Sequence, residues 1–221
     1  MPPTDIYIIR HCDKPSDYTS QSVLNQKPCL CTEQGYLRAK LLPGMWKKLI
    51  KNFNADSITI FASAFSPDNP DCNCEQREML VIIPTANVLG VKVNMPCCFT
   101  EVNYMATIAS RQKGIVIIAW EHHNIPPLLQ ALGFYDVGLW PENRYDIVFH
   151  IDVTHLKLTA FTQGLNLPGD SDQLPPDYQK YATKSNILTY GDTMSSSNVI
   201  IYLIIGTIII LVIIVWLVKM K

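Results

Sequence analysis

A run of twenty uncharged residues, Val199 to Val218, constrains this chain most. At about 1.5 Å per residue, an α-helix of that length covers about 30 Å, the thickness of the hydrocarbon core of a bilayer. Backbone polar groups inside lipid must be bonded within the segment, so a helix is the expected state. A buried core helix fits less well, because the run has no polar face at the helical period. The sequence therefore predicts one C-terminal transmembrane helix.

The residues that flank this run bear on its orientation. Only Lys219, Met220 and Lys221 follow it, so we expect insertion after synthesis, as a tail anchor. The N-terminus lacks the basic start and apolar run of a signal peptide, which favours a cytosolic domain. The two lysines argue the other way, because the positive-inside tendency places lysines in the cytoplasm. We weigh the N-terminus more and predict a single-pass membrane protein with a cytosolic N-terminal domain.

The remaining chain divides into two parts by composition. Residues 1 to 165 have the length of one domain, and residues 166 to 198 are rich in Pro, Gly, Ser, Asp and Asn, as in a flexible linker. The formal net charge of −1 gives no long-range field that would gather nucleic acid, so we expect no nucleic-acid partner. Any anion must be bound locally.

The seven cysteines are an odd number and match no secreted disulfide framework, so reduced thiols in the cytosol are the simpler prediction. Cys29 with Cys31 and Cys72 with Cys74 form C-x-C pairs, not the C-x-x-C of a zinc knuckle, and no matching histidine pair is evident. We therefore predict neither a metal nor a cofactor.

Short β-branched apolar runs alternate with helix-length segments. Continuous runs of this kind are typical of strands that are covered on both faces. The predicted strands are Ile6 to Ile9, Ile58 to Ala62, Val91 to Val93, Ile115 to Trp120 and Ile147 to Ile151. The first predicted helix begins at Thr32 and has a kink at Pro43-Gly44. The second covers Glu75 to Leu89, and the third covers Pro126 to Leu132. The pattern predicts an α/β fold, a three-layer α/β/α sandwich with a mostly parallel central sheet.

Histidines directly follow two of these strands. Arg10-His11 ends the first strand, and Glu121-His122-His123 ends the fourth. Functional residues of such sheets lie beyond the carboxyl ends of the strands, so we expect His11 and His122 to converge. Histidine with arginine suits phosphoryl transfer, because an imidazole attacks phosphorus while guanidinium groups hold the phosphoryl oxygens.

The ordered motifs resemble one known family, the histidine phosphatase superfamily, which includes cofactor-dependent phosphoglycerate mutases. The resemblance covers about residues 5 to 160, and the branch it indicates carries RHxEKP and WEHxxIP motifs. The matching segments are Ile6 to Pro15, Leu30 to Leu41, Ser57 to Ala64, Arg77 to Gly90, Trp120 to Pro126 and Trp140 to Asp152.

The resemblance implies a role for each matched residue. His11 corresponds to the nucleophile, Arg10 and Arg77 to the phosphate-binding arginines, and His122 to the second histidine, which is both catalytic and phosphate-binding. Glu101 falls where the family tends to place its proton donor. Cys12 departs from the usual Gly or Ala, which adds a side chain beside the nucleophile.

The implied activity is hydrolysis of a phosphomonoester substrate through a phosphohistidine, by a membrane-anchored enzyme without metal or cofactor. Two alternatives stay open. A relative that has lost turnover would be a membrane-tethered module that binds phosphate ligands or proteins. A mutase needs a site for two phosphates, and the near-neutral chain offers no second basic cluster.

Overall fold

The computed structural model describes residues 2–14, 29–50, 54–66, 68–69, 72 and 76–179. These residues form a mixed α/β fold with a six-stranded sheet. The strands are β1 (Pro3–Arg10), β2 (Ile58–Ala62), β3 (Val93–Asn94), β4 (Gly114–Trp120), β5 (Ile147–Asp152) and β6 (Lys157–Thr162). The helices are α1 (Glu33–Leu49), α2 (Gln76–Leu89), α3 (Val102–Ser110), α4 (Ile125–Ala131) and α5 (Pro176–Gln179).

The sheet has the order β3-β2-β4-β1-β5-β6 and is mostly parallel. The first four strands run parallel to one another, whereas β5 is antiparallel to both of its neighbours. In the register of the central pair, Ile9 lies opposite Ala119 and Arg10 opposite Trp120. The carboxyl ends of β1 and β4 therefore lie side by side.

Both faces of the central strands are buried, which explains why these runs are continuously apolar. Ile9 and Ala119 belong to a core cluster that also contains residues of α1 and α2, such as Trp46 and Val81. Ile8 is fully buried but outside that cluster, as expected where successive side chains point to opposite faces. Helices α3 and α4 pack against each other.

The first turn of helix α1 packs closely against the loop that follows β1, and a glycine makes this close packing possible. The Thr32 hydroxyl caps the helix by accepting a hydrogen bond from the Gly35 amide, 3.1 Å away. A Cβ atom at Gly35 would meet the backbone oxygen of Asp13 at 2.9 Å and the Cβ of Cys31 at 3.0 Å. The close approach of α1 to the β1 loop therefore requires a glycine at this position.

The predicted elements agree with the observed ones along the central sheet and differ elsewhere. Helix α1 continues through Pro43, and α2 continues through Pro84. Helix α3 and strand β6 were not predicted from the apolar pattern. Strand β3 begins at Val93 rather than at Val91.

Part of the predicted linker packs against the domain. Asp170 lies 2.7 Å from the buried Arg38 guanidinium of α1, and Tyr178 of α5 is buried. The folded part therefore extends past residue 165, to at least Gln179. Among the described residues, no helix is long and apolar enough to cross a bilayer. The predicted membrane helix, 199–218, lies outside the described residues.

Arg38 links three separate segments of the chain. Its guanidinium contacts Asp13 of the β1 loop at 2.7 Å, the Gln163 side chain at 2.9 Å and Asp170. The guanidinium of Arg38 and the carboxylates of Asp13 and Asp170 are all buried. Removing the cation leaves two buried carboxylates without their partner, which costs far more than losing a surface ion pair.

We therefore predict that Arg38→Met lowers the free energy of unfolding by about 3–5 kcal/mol. The control is Lys40→Met, an exposed position on the same helix. Chemical denaturation of the two variants and the wild type measures the difference. Equal stability of R38M and K40M would show that the buried network contributes nothing to the fold.

Candidate active site

The two predicted histidines meet at the carboxyl edge of the sheet. His11 Nε2 lies 3.2 Å from His122 Nδ1, and the rings are 5.2 Å apart in an edge-to-face arrangement. The ladder between β1 and β4 continues one step into the site, because the His11 amide donates to the Trp120 carbonyl over 3.1 Å. Both histidines are buried.

His11 is held in one tautomer. Its Nδ1–H donates to the Cys12 carbonyl over 2.8 Å, so the lone pair is on Nε2. Burial lowers the pKa of His11 well below its ordinary value, and the positive charges of Arg77 and Arg10 lower it further. A neutral imidazole with an unprotonated Nε2 is the form that attacks an electrophile.

Arg10 is oriented by the loop that precedes β5. Its Nη1 donates to the carbonyls of Pro141, Glu142 and Arg144 at 3.3, 2.7 and 3.1 Å, and its Cζ lies 3.8 Å from the ring centroid of Tyr145. Its Nε and Nη2 are buried and have no hydrogen-bond partner among the described residues. Nε and Nη2 form one edge of the guanidinium fork, so two parallel donors remain for an oxyanion.

Arg77 of α2 supplies a second positive charge. It is buried at 7 % exposure, and its charge acts on His11 more strongly than that of Arg10. A pair of buried cations beside a neutral imidazole favours a dianionic ligand such as a phosphoryl group.

His122 is surrounded by carboxylates. Its Nδ1 lies 2.7 Å from Glu121 Oε1, and its Nε2 lies 3.0 Å from Glu142 Oε2. Burial acts to raise the pKa of Glu121, but hydrogen bonds from His122 and Asn124 outweigh it and hold this pKa well below its usual range. Glu121 is therefore ionised and serves as a fixed acceptor rather than as an exposed carboxylate.

A second layer of contacts fixes the loop that carries His11. Asp13 accepts hydrogen bonds from Arg38 and from the Gln34 side chain, both on α1, at 2.7 Å. The Asp13 carbonyl accepts the Thr32 amide at the start of the same helix. The loop of His11 is thus bonded to α1 on both its side-chain and its backbone atoms.

The prediction of reduced cysteines was wrong for four of the described cysteines. Cys12 is joined to Cys31, and Cys72 is joined to Cys98. The Cα atoms of these pairs lie 5.6 and 5.7 Å apart, within the usual range of disulfides. The bridged cysteines are 19 and 26 positions apart in the sequence, and spacing of this kind does not reveal which cysteines pair. Cys97 is a buried free thiol, and burial raises its pKa to about 12.

The first bridge changes the meaning of Cys12. Its side chain is fully buried and bonded to Cys31, which precedes the cap of α1. It therefore holds the loop, and its carbonyl fixes the tautomer of His11. The Cys12 side chain therefore takes part in the support of the loop that carries His11.

The predicted proton donor and a second carboxylate differ in their contacts. Glu101 is exposed, and its Oε2 accepts the amide of Cys98 in its own loop at 2.9 Å. Glu142 contacts both His122 and His123 directly. Sequence reasoning placed Trp140-Pro141 and Tyr145 in a family motif, but it gave no role to Glu142, because an acidic loop residue is ordinarily solvated.

Comparisons with known proteins return structures only. No protein-family model and no curated protein matches the sequence. Similar solved structures include a candidate phosphohistidine phosphatase SixA from Agrobacterium tumefaciens, with 10% identity, a TM-score of 0.44 and coverage of 71% of this chain and 96% of that chain.

Two further structures are similar to the same degree. A protein histidine phosphatase SixA complexed with tungstate shares 12% identity at a TM-score of 0.44, over 72% of this chain and 97% of its own. A mycobacterial glucosyl-3-phosphoglycerate phosphatase shares 11% identity at a TM-score of 0.45, over 72% of this chain and 97% of its own. Values of this size carry no inference about activity, which depends on the geometry of the site.

Proposed function

We propose that this protein is a phosphomonoester hydrolase that works through a phosphohistidine on His11. The observation that carries the proposal is the unpartnered edge of Arg10. Two buried donors of a guanidinium, Nε and Nη2, have no acceptor among the described residues. Unpaired buried donors cost free energy in the absence of a ligand, so the site fits a ligand that supplies two oxygens.

The proposed reaction begins with the neutral tautomer of His11. Its Nε2 attacks phosphorus in line with the leaving oxygen, and Arg10, Arg77 and His122 hold the other phosphoryl oxygens. Glu101, the donor that the family resemblance implies, gives a proton to the leaving oxygen. The P–O bond breaks as the Nε2–P bond forms, and the alcohol leaves.

The second half of the reaction reverses these roles. Water attacks phosphorus opposite Nε2, and the carboxylate that lost its proton accepts one from the water. The N–P bond breaks, and inorganic phosphate leaves while His11 regains its lone pair. The bond from Nδ1 to the Cys12 carbonyl is retained throughout, so the imidazole keeps its orientation.

The main alternative is a binding module with the same site and no turnover. The exposed position of Glu101 is compatible with this alternative, because a site without a proton donor would bind phosphate and release few products. Vanadate binding without hydrolysis of any phosphomonoester would favour it.

The first prediction of this proposal concerns the nucleophile. With an aryl phosphate and no added metal, His11→Asn reduces phosphate release by the full chain to the uncatalysed background, since no other group forms the intermediate. The matched control is His155→Asn, an exposed histidine after β5, which retains the wild-type rate. An H11N variant that is folded by circular dichroism and still turns over would contradict the proposal.

A second prediction concerns the proton donor. An alkyl phosphate needs its leaving oxygen protonated, whereas a nitrophenolate leaves without help. Glu101→Gln should therefore lower kcat/KM, which reports the transfer of phosphate to His11, by on the order of 100-fold for an alkyl phosphate and leave it almost unchanged for nitrophenyl phosphate. Glu142→Gln is the comparison variant. If E142Q shows this dependence on the leaving group and E101Q does not, Glu142 is the donor.

We also propose that the chain is anchored in a membrane by Val199 to Val218, on the strength of the sequence alone. The full chain should remain with membranes after alkaline extraction. The double variant Ile209→Arg with Ile213→Arg should be extracted, because each arginine at the centre of a helix costs about 3 kcal/mol on insertion scales. Equal extraction of both forms would count against the anchor.

The side of the membrane on which the domain lies is a separate proposal. The sequence favours the cytosol, whereas the paired cysteines of the described residues are typical of an oxidising compartment. Protease treatment of sealed vesicles distinguishes the two. A cytosolic domain is digested, and a lumenal domain is protected until detergent is added.

A further inference from the structure

The side chains of His122, His123 and Glu142 converge at the mouth of the site. One ring nitrogen from each histidine and one carboxylate oxygen of Glu142 all lie within 4.8 Å of one another. Glu142 Oε2 is 3.0 Å from His122 Nε2, and Glu142 Oε1 is 2.6 Å from His123 Nε2. The two imidazole rings lie side by side, with centroids 3.9 Å apart and planes inclined by 34°, and both Nε2 atoms contact the same carboxylate.

The other nitrogens of both rings face a second carboxylate. Glu121 Oε1 lies 2.7 Å from His122 Nδ1 and 3.3 Å from His123 Nδ1. With Glu121 accepting a hydrogen bond from Nδ1–H of each ring, a lone pair remains on each Nε2. Two lone pairs and a carboxylate then meet at one point, an arrangement that a positive species between them stabilises.

We propose that these three residues form a zinc site. Imidazole nitrogen and carboxylate oxygen are ligands that Zn²⁺ prefers, and three protein ligands with an open fourth position are a common set. The arrangement in which a carboxylate holds the far nitrogen of each liganding histidine is the usual support of such sites. Here Glu121 provides that support to both rings.

The distances between Glu142 and the two histidines, 3.0 and 2.6 Å, need to lengthen slightly to admit a zinc ion, and two of the three side chains are exposed and able to move. Ligands around a tetrahedral zinc with bonds of about 2.1 Å lie about 3.4 Å apart. His123 and Glu142 are exposed at 62% and 63%, whereas His122 is buried, so the outer ligands move toward these separations while the inner one stays fixed.

The site overlaps the proposed phosphate pocket through His122, whose Nδ1 lies 3.2 Å from the reactive nitrogen of His11. A zinc ion on His122 fixes this ring and occupies the mouth of the pocket. Zinc therefore inhibits hydrolysis, and this consequence, unlike binding itself, rests on the proposed function.

The test measures zinc binding directly, by isothermal titration of the metal-free full chain without thiol reductants, because freed thiols bind zinc. We expect saturable binding of one ion with micromolar or tighter affinity. His123→Ala should weaken it at least 100-fold and Glu121→Gln by about 10–100-fold, as for other supporting residues of metal sites. His155→Asn is the control and should bind as the wild type does.

Each outcome bears on the proposal. Absence of micromolar binding, or equal binding by wild type and H123A, overturns the site and leaves protons as the positive species between the rings. Binding that vanadate does not weaken contradicts the overlap with the phosphate pocket. Zinc binding by a chain that hydrolyses no phosphomonoester would support the site while the proposed hydrolase fails.

Discussion

Parallel pairing of β1 with β4 is the constraint on which the site depends. The register places Arg10 opposite Trp120, and the next amide, that of His11, bonds to the Trp120 carbonyl. A slip of one residue would turn the side chains at the strand ends to the opposite face. The contact between His11 and His122 therefore follows from the apolar runs of two strands separated by about a hundred residues of chain.

The strand ends position the two histidines, and loops from elsewhere set the contacts of the groups around them. Three carbonyls between Pro141 and Arg144 occupy one nitrogen of Arg10 and leave the opposite edge of its fork without a partner. The Cys12 carbonyl sets the tautomer of His11. The bridge to Cys31 and the ion pair of Asp13 with Arg38 hold that loop on helix α1. The loop that carries His11 is thus held by several contacts, and Arg10 keeps two buried donors for an anion.

The central strands and the two histidines could be predicted from the sequence, because continuous burial leaves a direct apolar signal and chemistry follows the strand ends. Helix α3 was not predicted, since a segment of nine residues makes only about two and a half turns, too few for a helical period to stand out, although Met105 and Ala109 form a buried face. The cysteine pairs and the contacts of Glu142 depend on which loops meet, and no local pattern records this. The predicted linker begins too close to the N-terminus, because its polar composition hides two residues that pack on the domain, Asp170 and Tyr178.

The proposal that His11 carries the phosphoryl group is tested most directly by detecting phosphate on this residue during turnover. The full chain is mixed with an aryl phosphate and quenched in alkali, in which phosphohistidine is stable, and its peptides are mapped by mass spectrometry. Catalysis through His11 predicts phosphate on the peptide that carries this residue, and none on that peptide in H11N. Steady turnover without phosphate on His11 would contradict it, because the imidazole would then not be the nucleophile.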